Sequence, residues 1–381
     1  MPTLLDSPIS YPQKSKTLRI VFITTTVSGV GYYRMASFAW AMRSWPRVET
    51  VVWPYSKNVT IQNPWQVDMV DSHEVRQKID YLCEKADVVV WQMLDFEHSF
   101  EFWQEMRLRH QKPFLMEMDD YAADVPAGNA AFGQMAPGGT RYRIAMNQMR
   151  ESDGLVVSTP YLAEQYAGKN PHIYVIPNSI DFKEWDNVRR PKRGDRLRIG
   201  WIGGGTHFAD LEMIKPVLEE LTRENPDVWF YCIHGAPKSF FETPKFYCTT
   251  KWSKIHLYPK FMASFKFDIG VAPLEDNNFN RGKSNLRWLE YSALKIPCVA
   301  SPLPDFARSI RDGENGFLAS NLNEWKIKLS RLIHSSMMRL DMGNRAYDSV
   351  HENFNVYKTA TRYMRLLRRI SDGSLLSADA V

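Results

Sequence analysis

The sequence has few cysteines, no long apolar run and no strong excess of either charge, and each shortage removes a class of protein. Only Cys83, Cys232, Cys248 and Cys298 occur, scattered without metal-type spacing, and Cys83, Cys232 and Cys298 lie within or beside apolar segments that read as core. That usage fits a reducing cytoplasm. No apolar stretch approaches the roughly 20 residues that span a bilayer, so an integral membrane protein is not expected. The opening "MPTLLDSPISYPQKSKTLRI" lacks the basic-then-apolar order of a signal peptide, and about the first 16 residues read as a loose tail. Neither a short-period repeat nor a low-complexity tract is present. The net charge of +5 is mild: it permits an anionic substrate or surface without demanding nucleic acid.

What is present is the composition of a soluble globular protein, 44% hydrophobic and 24% charged, with 12 Trp among its plentiful aromatics, most of them expected in the core. At 381 residues the chain exceeds the roughly 250 to 300 residues at which single cores stop growing, which predicts two domains with a cleft between them. Nearly continuous β-rich runs recur at 18–26, 48–55, 86–94, 113–120, 154–160 and 173–180, separated by helical candidates such as "YYRMASFAWAMRSW" and "EFWQEMRLRHQ". Unbroken apolar strands alternating with helices predict a parallel, doubly wound sheet covered on both faces. The charged stretch "DFKEWDNVRRPKRGDR" interrupts the pattern, which then restarts with runs at 197–205, 227–235, 267–274, 297–301 and 315–320. The expected organisation is a domain over 1–182, a linker over 183–196, a second domain over 197–355, and a basic amphipathic helix with a frayed Ser- and Ala-rich tail over 356–381.

Ligands of doubly wound sheets bind beyond the C-terminal ends of the strands, so the loops there hold the candidate site. After the first run, "TVSGVGYYRM" places Gly29 and Gly31 before a helix, followed by Tyr32 and Arg34. Arg34 stands where a dinucleotide fingerprint needs its third glycine, and no suitably placed acid follows the next strand, which disfavours NAD. After the 197–205 run, Gly203, Gly204 and Gly205 lead into a helix whose first turn carries Thr206, His207 and Asp210, an anion-friendly N-terminus, with Pro216 expected to kink or restart that helix. The loop lacks the "GK[ST]" ending of a triphosphate-binding loop.

Two further loops carry charge. "EMDDYAADVPAGN" ends a strand with Glu117, Asp119 and Asp120, carboxylates that suit a metal, a general base, sugar hydroxyls or a solvated strand end. "FNRGKSNLRWLEYSALKIPCVAS" combines Arg281, Lys283, Ser284 and Asn285 with a helix bearing Glu290. With Ser284 as its cap, that helix N-terminus and Lys283 favour a diphosphate, and Glu290 lies about 9 Å further along the axis, a distance that suits an attached ribose.

These segments together resemble the nucleotide-sugar-dependent glycosyltransferases of the GT-B fold, of the glycosyltransferase group 1 type. The resemblance rests on "APLEDNNFNRGKSNLRWLEYSALKIPCVAS", "GLVVSTPYLAEQY" followed by "IYVIPNSID", "SGVGYYR" and "GWIGGGTH", in that family's order over about residues 18 to 320. It implies two Rossmann-like domains facing a cleft, the second holding the donor and the first the acceptor, with the last helix crossing back to the first domain. It assigns Lys283 to the donor phosphates, Glu290 to the ribose, Gly203 to Thr206 to the diphosphate, and Gly29 and Gly31 to the region of the transferred sugar.

The chain departs from that family where retaining members carry a glutamate eight positions before Glu290: here the residue is Gly282, with Glu275 or Asp276 as stand-ins, and His207 replaces an Arg and Lys pair. The implied reaction moves a sugar from a nucleotide diphosphate to an acceptor hydroxyl, with Lys283 and Arg281 stabilising the leaving group. Asp119 or Asp120 is the base of an inverting route; a retaining route in which the leaving phosphate takes the proton is favoured on the resemblance. Neither cofactor nor metal is expected, since protein cations neutralise the phosphates, and no obligatory protein partner is evident. Expected acceptors are a surface glycan or lipid-linked sugar, with the helices "SFAWAMRSWPR" and "EFWQEMRLRHQ" touching a membrane peripherally, or a hydroxymethylated DNA base in a phage-encoded enzyme of the host cytoplasm. The rival readings are a non-catalytic nucleotide-sugar binder and a sugar-phosphate epimerase on the same architecture.

Overall fold

The computed structural model describes residues 16–54, 73–127, 132–188 and 194–374. Nearly all of the N-terminal tail, residues 189–193 of the linker and the end of the C-terminal tail lie outside the described residues. The first six β-rich runs form β1 (Leu18–Ile23), β2 (Val48–Trp53), β3 (Val88–Gln92), β4 (Phe114–Met118), β5 (Gly154–Val157) and β6 (Ile173–Val175). They pair in parallel in the order β2-β1-β3-β4-β5-β6. Each strand is shorter than its apolar run because the last residues leave the ladder to build loops. After β1, for example, the Thr24 hydroxyl donates to Gln92 Oε1 at 2.5 Å and the Thr25 amide to the same oxygen at 3.0 Å.

The second sheet contains β7 (Leu197–Ile202), β8 (Val228–Ile233), β9 (Phe246–Thr249), β10 (Ile269–Ala272), β11 (Cys298–Ala300) and β12 (Phe317–Leu318), ordered β12-β11-β10-β7-β8-β9. β9 is absent from the sequence reading: it is a four-residue edge strand whose apolar run, Phe246 to Cys248, is only three residues long between Lys245 and Thr249. The helix Phe208–Glu224 runs on through Pro216 rather than restarting there. In each sheet the strand order reverses once, at β1/β3 and at β7/β10, which are the points where such sheets bind ligands.

One pair of glycines positions the candidate site. Gly200 on β7 and Gly270 on β10 are partners in the ladder. A Cβ on Gly200 would lie 2.2 Å from the Phe267 ring, and one on Gly270 would lie 2.6 Å from the Tyr291 ring. The bare strands let Tyr291 lie flat on the sheet, where its hydroxyl donates to the Gly200 and Val271 carbonyls at 3.0 and 3.2 Å. This holds the helix Leu286–Ala293, and Glu290 on it, against β7 and β10.

The last helix, Val356–Ser371, returns to the first domain. Its Tyr363 ring meets Phe22 and Phe38 edge-on at 6.0 and 5.8 Å, and the Val356 amide donates to the Ile180 carbonyl at 2.9 Å. The aromatic helices expected at a membrane turn most of their apolar side chains inward: Phe38, Met42, Phe100, Phe102, Trp103 and Met106 are core residues. Trp40 packs edge-on against Tyr32 at 6.1 Å. Among the described residues no helix is long and apolar enough to cross a membrane.

Gly270→Ala is expected to force Tyr291 off the sheet at about 1–3 kcal/mol, typical of overpacking. Urea denaturation checks the loss; an unchanged midpoint would show that the ring has room to move.

Candidate active site

The loops at the two switch points face each other across a cleft of about 260 Å³. The first domain lines it with Ser28, Gly29, Val30, Tyr33, Arg34, Asp119 and Asn178. The second contributes Ile202, Gly203, Gly204, Thr206, His207, His234, Trp252, Ile255, Tyr258, Leu286, Arg287 and Glu290.

Glu290 is nearly inaccessible, so its carboxylate needs donors. It receives hydrogen bonds from the Tyr33 hydroxyl of the first domain at 3.0 Å, the Tyr258 hydroxyl at 3.2 Å, and Arg287 Nη1 at 2.7 Å. Burial raises the Glu290 carboxyl above the usual carboxylate range, opposed by Arg287 and the two hydroxyl donors. Tyr33 reaches it from a π-helical turn, Tyr32–Ala36, set within the helix at 29–42. Such turns insert one residue into a helix and re-aim its side chains, and they recur at functional sites.

The same turn buries Arg34. Its Nε donates to Glu117 Oε1 at 2.5 Å, and its Nη1 to the Ile176 carbonyl at 2.6 Å and to Asn178 Oδ1 at 3.1 Å. Among the described residues, Arg34 Nη2 and Glu117 Oε2 are buried without a hydrogen-bond partner. Burial raises the Glu117 carboxyl despite this partner.

The carboxylates of Glu117 in β4 and of Asp119 and Asp120 after it take different partners. Glu117 turns inward to Arg34, Asp119 lines the cleft, and Asp120 Oδ1 takes Lys283 Nζ from the second domain at 2.7 Å. No group of three or more residues able to hold a metal occurs among the described residues. Asp119, desolvated and close to Asp120 and Glu117, has its carboxyl pushed up to about 8, with Arg34 and Lys283 opposing.

The glycine loop after β7 continues into a 3₁₀ turn, Gly205–His207. His207 Nδ1 is 2.9 Å from Asp210 Oδ2, and Asp210 is itself fixed by the Glu275 amide at 2.8 Å and Asn280 Nδ2 at 2.7 Å. Trp252 lies beside His234, with ring centroids 3.9 Å apart.

Several expected placements are corrected. The helix bearing Glu290 is capped by Asn285, not Ser284, and its first amide, from Asn285, donates to Asp305 Oδ2 at 2.8 Å. An internal carboxylate thus occupies the N-terminus expected to hold a diphosphate. The Asn285 side chain donates to Ser309, and the Ser284 hydroxyl accepts from Asn178 Nδ2 at 2.8 Å. Arg281 binds Asp276 through two nitrogens on the exposed side, so neither lines the cleft. Tyr32 is buried outside the cleft lining, where its hydroxyl donates to Glu184 at 2.6 Å. Gly31 is a packing residue, since a Cβ there would lie 1.9 Å from the Thr26 carbonyl oxygen. Gly205 does not line the cleft.

Gly282 also has a packing reason. A Cβ on it would lie 3.0 Å from both Leu162 and Tyr121 of the first domain, and its carbonyl accepts from the Thr159 hydroxyl at 3.3 Å. Sequence reasoning missed Tyr33, Asn178, His234, Trp252, Tyr258 and Arg287. Arg287 was legible from its i,i+3 spacing to Glu290; Trp252 and Tyr258 come from loops that only the fold carries to the cleft.

Two six-stranded parallel sheets facing a cleft lined by both switch points define the GT-B fold. A family model described as glycosyl transferase-like matches residues 214–365, most of the second domain and the returning helix. No curated protein matches in sequence. Among solved structures, Anabaena HepE in complex with UDP-glucose is 13% identical, with 92% of this chain and 99% of that one covered and a TM-score of 0.63. Sucrose-phosphate synthase from Thermosynechococcus elongatus is 12% identical, covering 93% of this chain and 100% of its own at a TM-score of 0.61. An S. aureus TarM variant in complex with UDP, 15% identical at a TM-score of 0.55, is matched over 77% of this chain but 59% of its own length.

Arg34→Met leaves the Glu117 carboxylate buried without its partner, a loss of about 3–5 kcal/mol in stability. Chemical denaturation of the two proteins measures it; a difference under about 1 kcal/mol would mean that the pair contributes little.

Proposed function

We propose that the chain is a glycosyltransferase that moves a sugar from a nucleotide-diphosphate donor to an acceptor hydroxyl in this cleft. The observation that carries the reading is the convergence of the Gly203–His207 loop and the Glu290 carboxylate on one cavity. The backbone amides of Gly204 and Thr206, with His207, hold the diphosphate. Trp252 and Ile255 receive the nucleobase, and Glu290 accepts from the ribose hydroxyls. Glu290 is occupied by Tyr33 in this closed arrangement, so donor binding exchanges the Tyr33 hydroxyl for a ribose hydroxyl as the domains part. Lys283 likewise exchanges Asp120 for a phosphate.

The bond from the anomeric carbon to the β-phosphate oxygen breaks as the acceptor oxygen bonds to that carbon. Charge grows on the leaving phosphate, where Lys283 and the loop amides stabilise it; one such donor is typically worth about 10²–10³ in rate. Asp119, the cleft carboxylate of the first domain, takes the acceptor proton in an inverting transfer. Its raised carboxyl sets the direction: the base form accumulates above pH of about 8, so the rate rises with pH through that value. In a retaining transfer the leaving phosphate takes the proton instead. Protein cations supply the neutralisation in both routes, so activity is expected to survive a chelator; activity lost with the chelator would overturn this. The acceptor, a glycan, a lipid-linked sugar or a hydroxymethylated DNA base, sits on the side of Gly29, Arg34, Asp119 and Asn178.

A thermal-shift screen of nucleotides and nucleotide sugars tests the donor site. A ligand at 100 times its Kd adds about 2.7 kcal/mol of stability, and Glu290→Gln and Trp252→Ala should each reduce that shift while Lys358→Gln leaves it intact. No shift with any nucleotide would refute the reading. Asp119→Asn should lower turnover by about 10²–10⁴ and remove the alkaline rise. Full turnover in that variant, with the donor's anomeric configuration kept in the product, assigns the retaining route. Donor binding with no transfer or hydrolysis would identify a non-catalytic binder, and an epimerised donor without acceptor would identify an epimerase.

A further inference from the structure

The helix Val356–Ser371 carries Lys358, Arg362, Arg365, Arg368 and Arg369 and no acidic residue. The whole chain has 48 basic and 43 acidic residues, so the remaining residues are balanced and the +5 net charge is that of this one helix. Lys358, Arg362, Arg365 and Arg369 are exposed, whereas Val356, Ala360, Tyr363, Met364, Leu367 and Ile370 are buried. At 100° per residue the four exposed cations fall within about 60° of the helix circumference and span about 16 Å of its axis. None is paired with a carboxylate among the described residues, although ion pairs are common elsewhere on the surface; Lys358 Nζ reaches only the Glu352 carbonyl, at 3.0 Å.

We propose that this row is a docking surface for an anionic lipid bilayer. The opposite face of the helix is locked into the first domain, so the row is straight and rigid without a ligand. A plane of headgroups meets every cation of such a row at once. Nucleic acid would call for a groove with a second basic wall or for outward aromatics on which bases stack. The residues flanking the cations are Thr361 and Leu366, and Tyr357 at the helix start lies beneath Lys183, 4.2 Å from its ring centroid. The attraction is electrostatic, so it needs no apolar insertion and weakens with salt. The proposal stands whether or not the cleft transfers sugar.

Co-sedimentation of the full chain with phosphatidylcholine vesicles, with and without phosphatidylglycerol, tests it. Binding is expected only with the anionic lipid, and should fall steeply between about 0.1 and 0.5 M salt. Replacing all four cations with Gln should weaken it by several hundredfold, at about fivefold per charge. Swapping Arg for Lys and Lys for Arg at these positions should preserve it. The side chains are exposed, so the thermal midpoint should not move, which separates lost docking from lost folding. Failure to bind anionic vesicles at low salt, or equal binding by the Gln variant, overturns the proposal. So does tighter binding of duplex DNA that depends on the same four residues.

Discussion

The Glu290 carboxylate is buried where charge is costly, and much of the site follows from how that charge is satisfied. Desolvation alone would neutralise the group, so the chain surrounds it with Arg287 and two phenols. Arg287 comes from the same helix, Tyr258 from the start of another, and Tyr33 from the other domain. The last of these makes a local electrostatic requirement into a contact between domains. Lys283 with Asp120, Thr159 with Gly282, and Asn178 with Ser284 then join the domains along the same seam.

The helix that carries Glu290 is positioned by absence of side chains as much as by contacts. Gly200 and Gly270, neighbours in the sheet, leave a bare patch that the Phe267 and Tyr291 rings fill and to which the Tyr291 hydroxyl is bonded. On the other side of the cleft, the π-helical turn sends Tyr33 across to Glu290 and Arg34 down to Glu117. Both devices are local departures from regular packing, and both sit at a strand-order reversal.

Much of this organisation was legible. The two sets of apolar runs named eleven of the twelve strands, because strands covered on both faces are apolar without interruption. The edge strand β9 escaped, since only Phe246, Tyr247 and Cys248 of it are apolar, a run too short to stand out between Lys245 and Thr249. Gly29, Gly203, Gly204, Thr206, His207, Asp119 and Glu290 were all recognisable as loop or helix residues at strand ends, and the fold brings them to one cavity. Arg281, Tyr32, Ser284 and Asn285 had equal claims by position, yet their side chains face other partners. Position along the chain selects a loop; it does not choose which side of the loop faces the ligand.

The sequence by itself determined the two parallel sheets and the basic last helix, because periodicity and charge pattern act over short distances along the chain. Tertiary structure alone decided the pairings that define the cleft. Asp305 occupies a helix N-terminus 20 residues away in sequence, Asp120 meets Lys283 across 163 residues, and Tyr33 meets Glu290 across 257. Buried charges take whichever donor or acceptor the packing of distant elements brings within reach, and no local pattern encodes that choice.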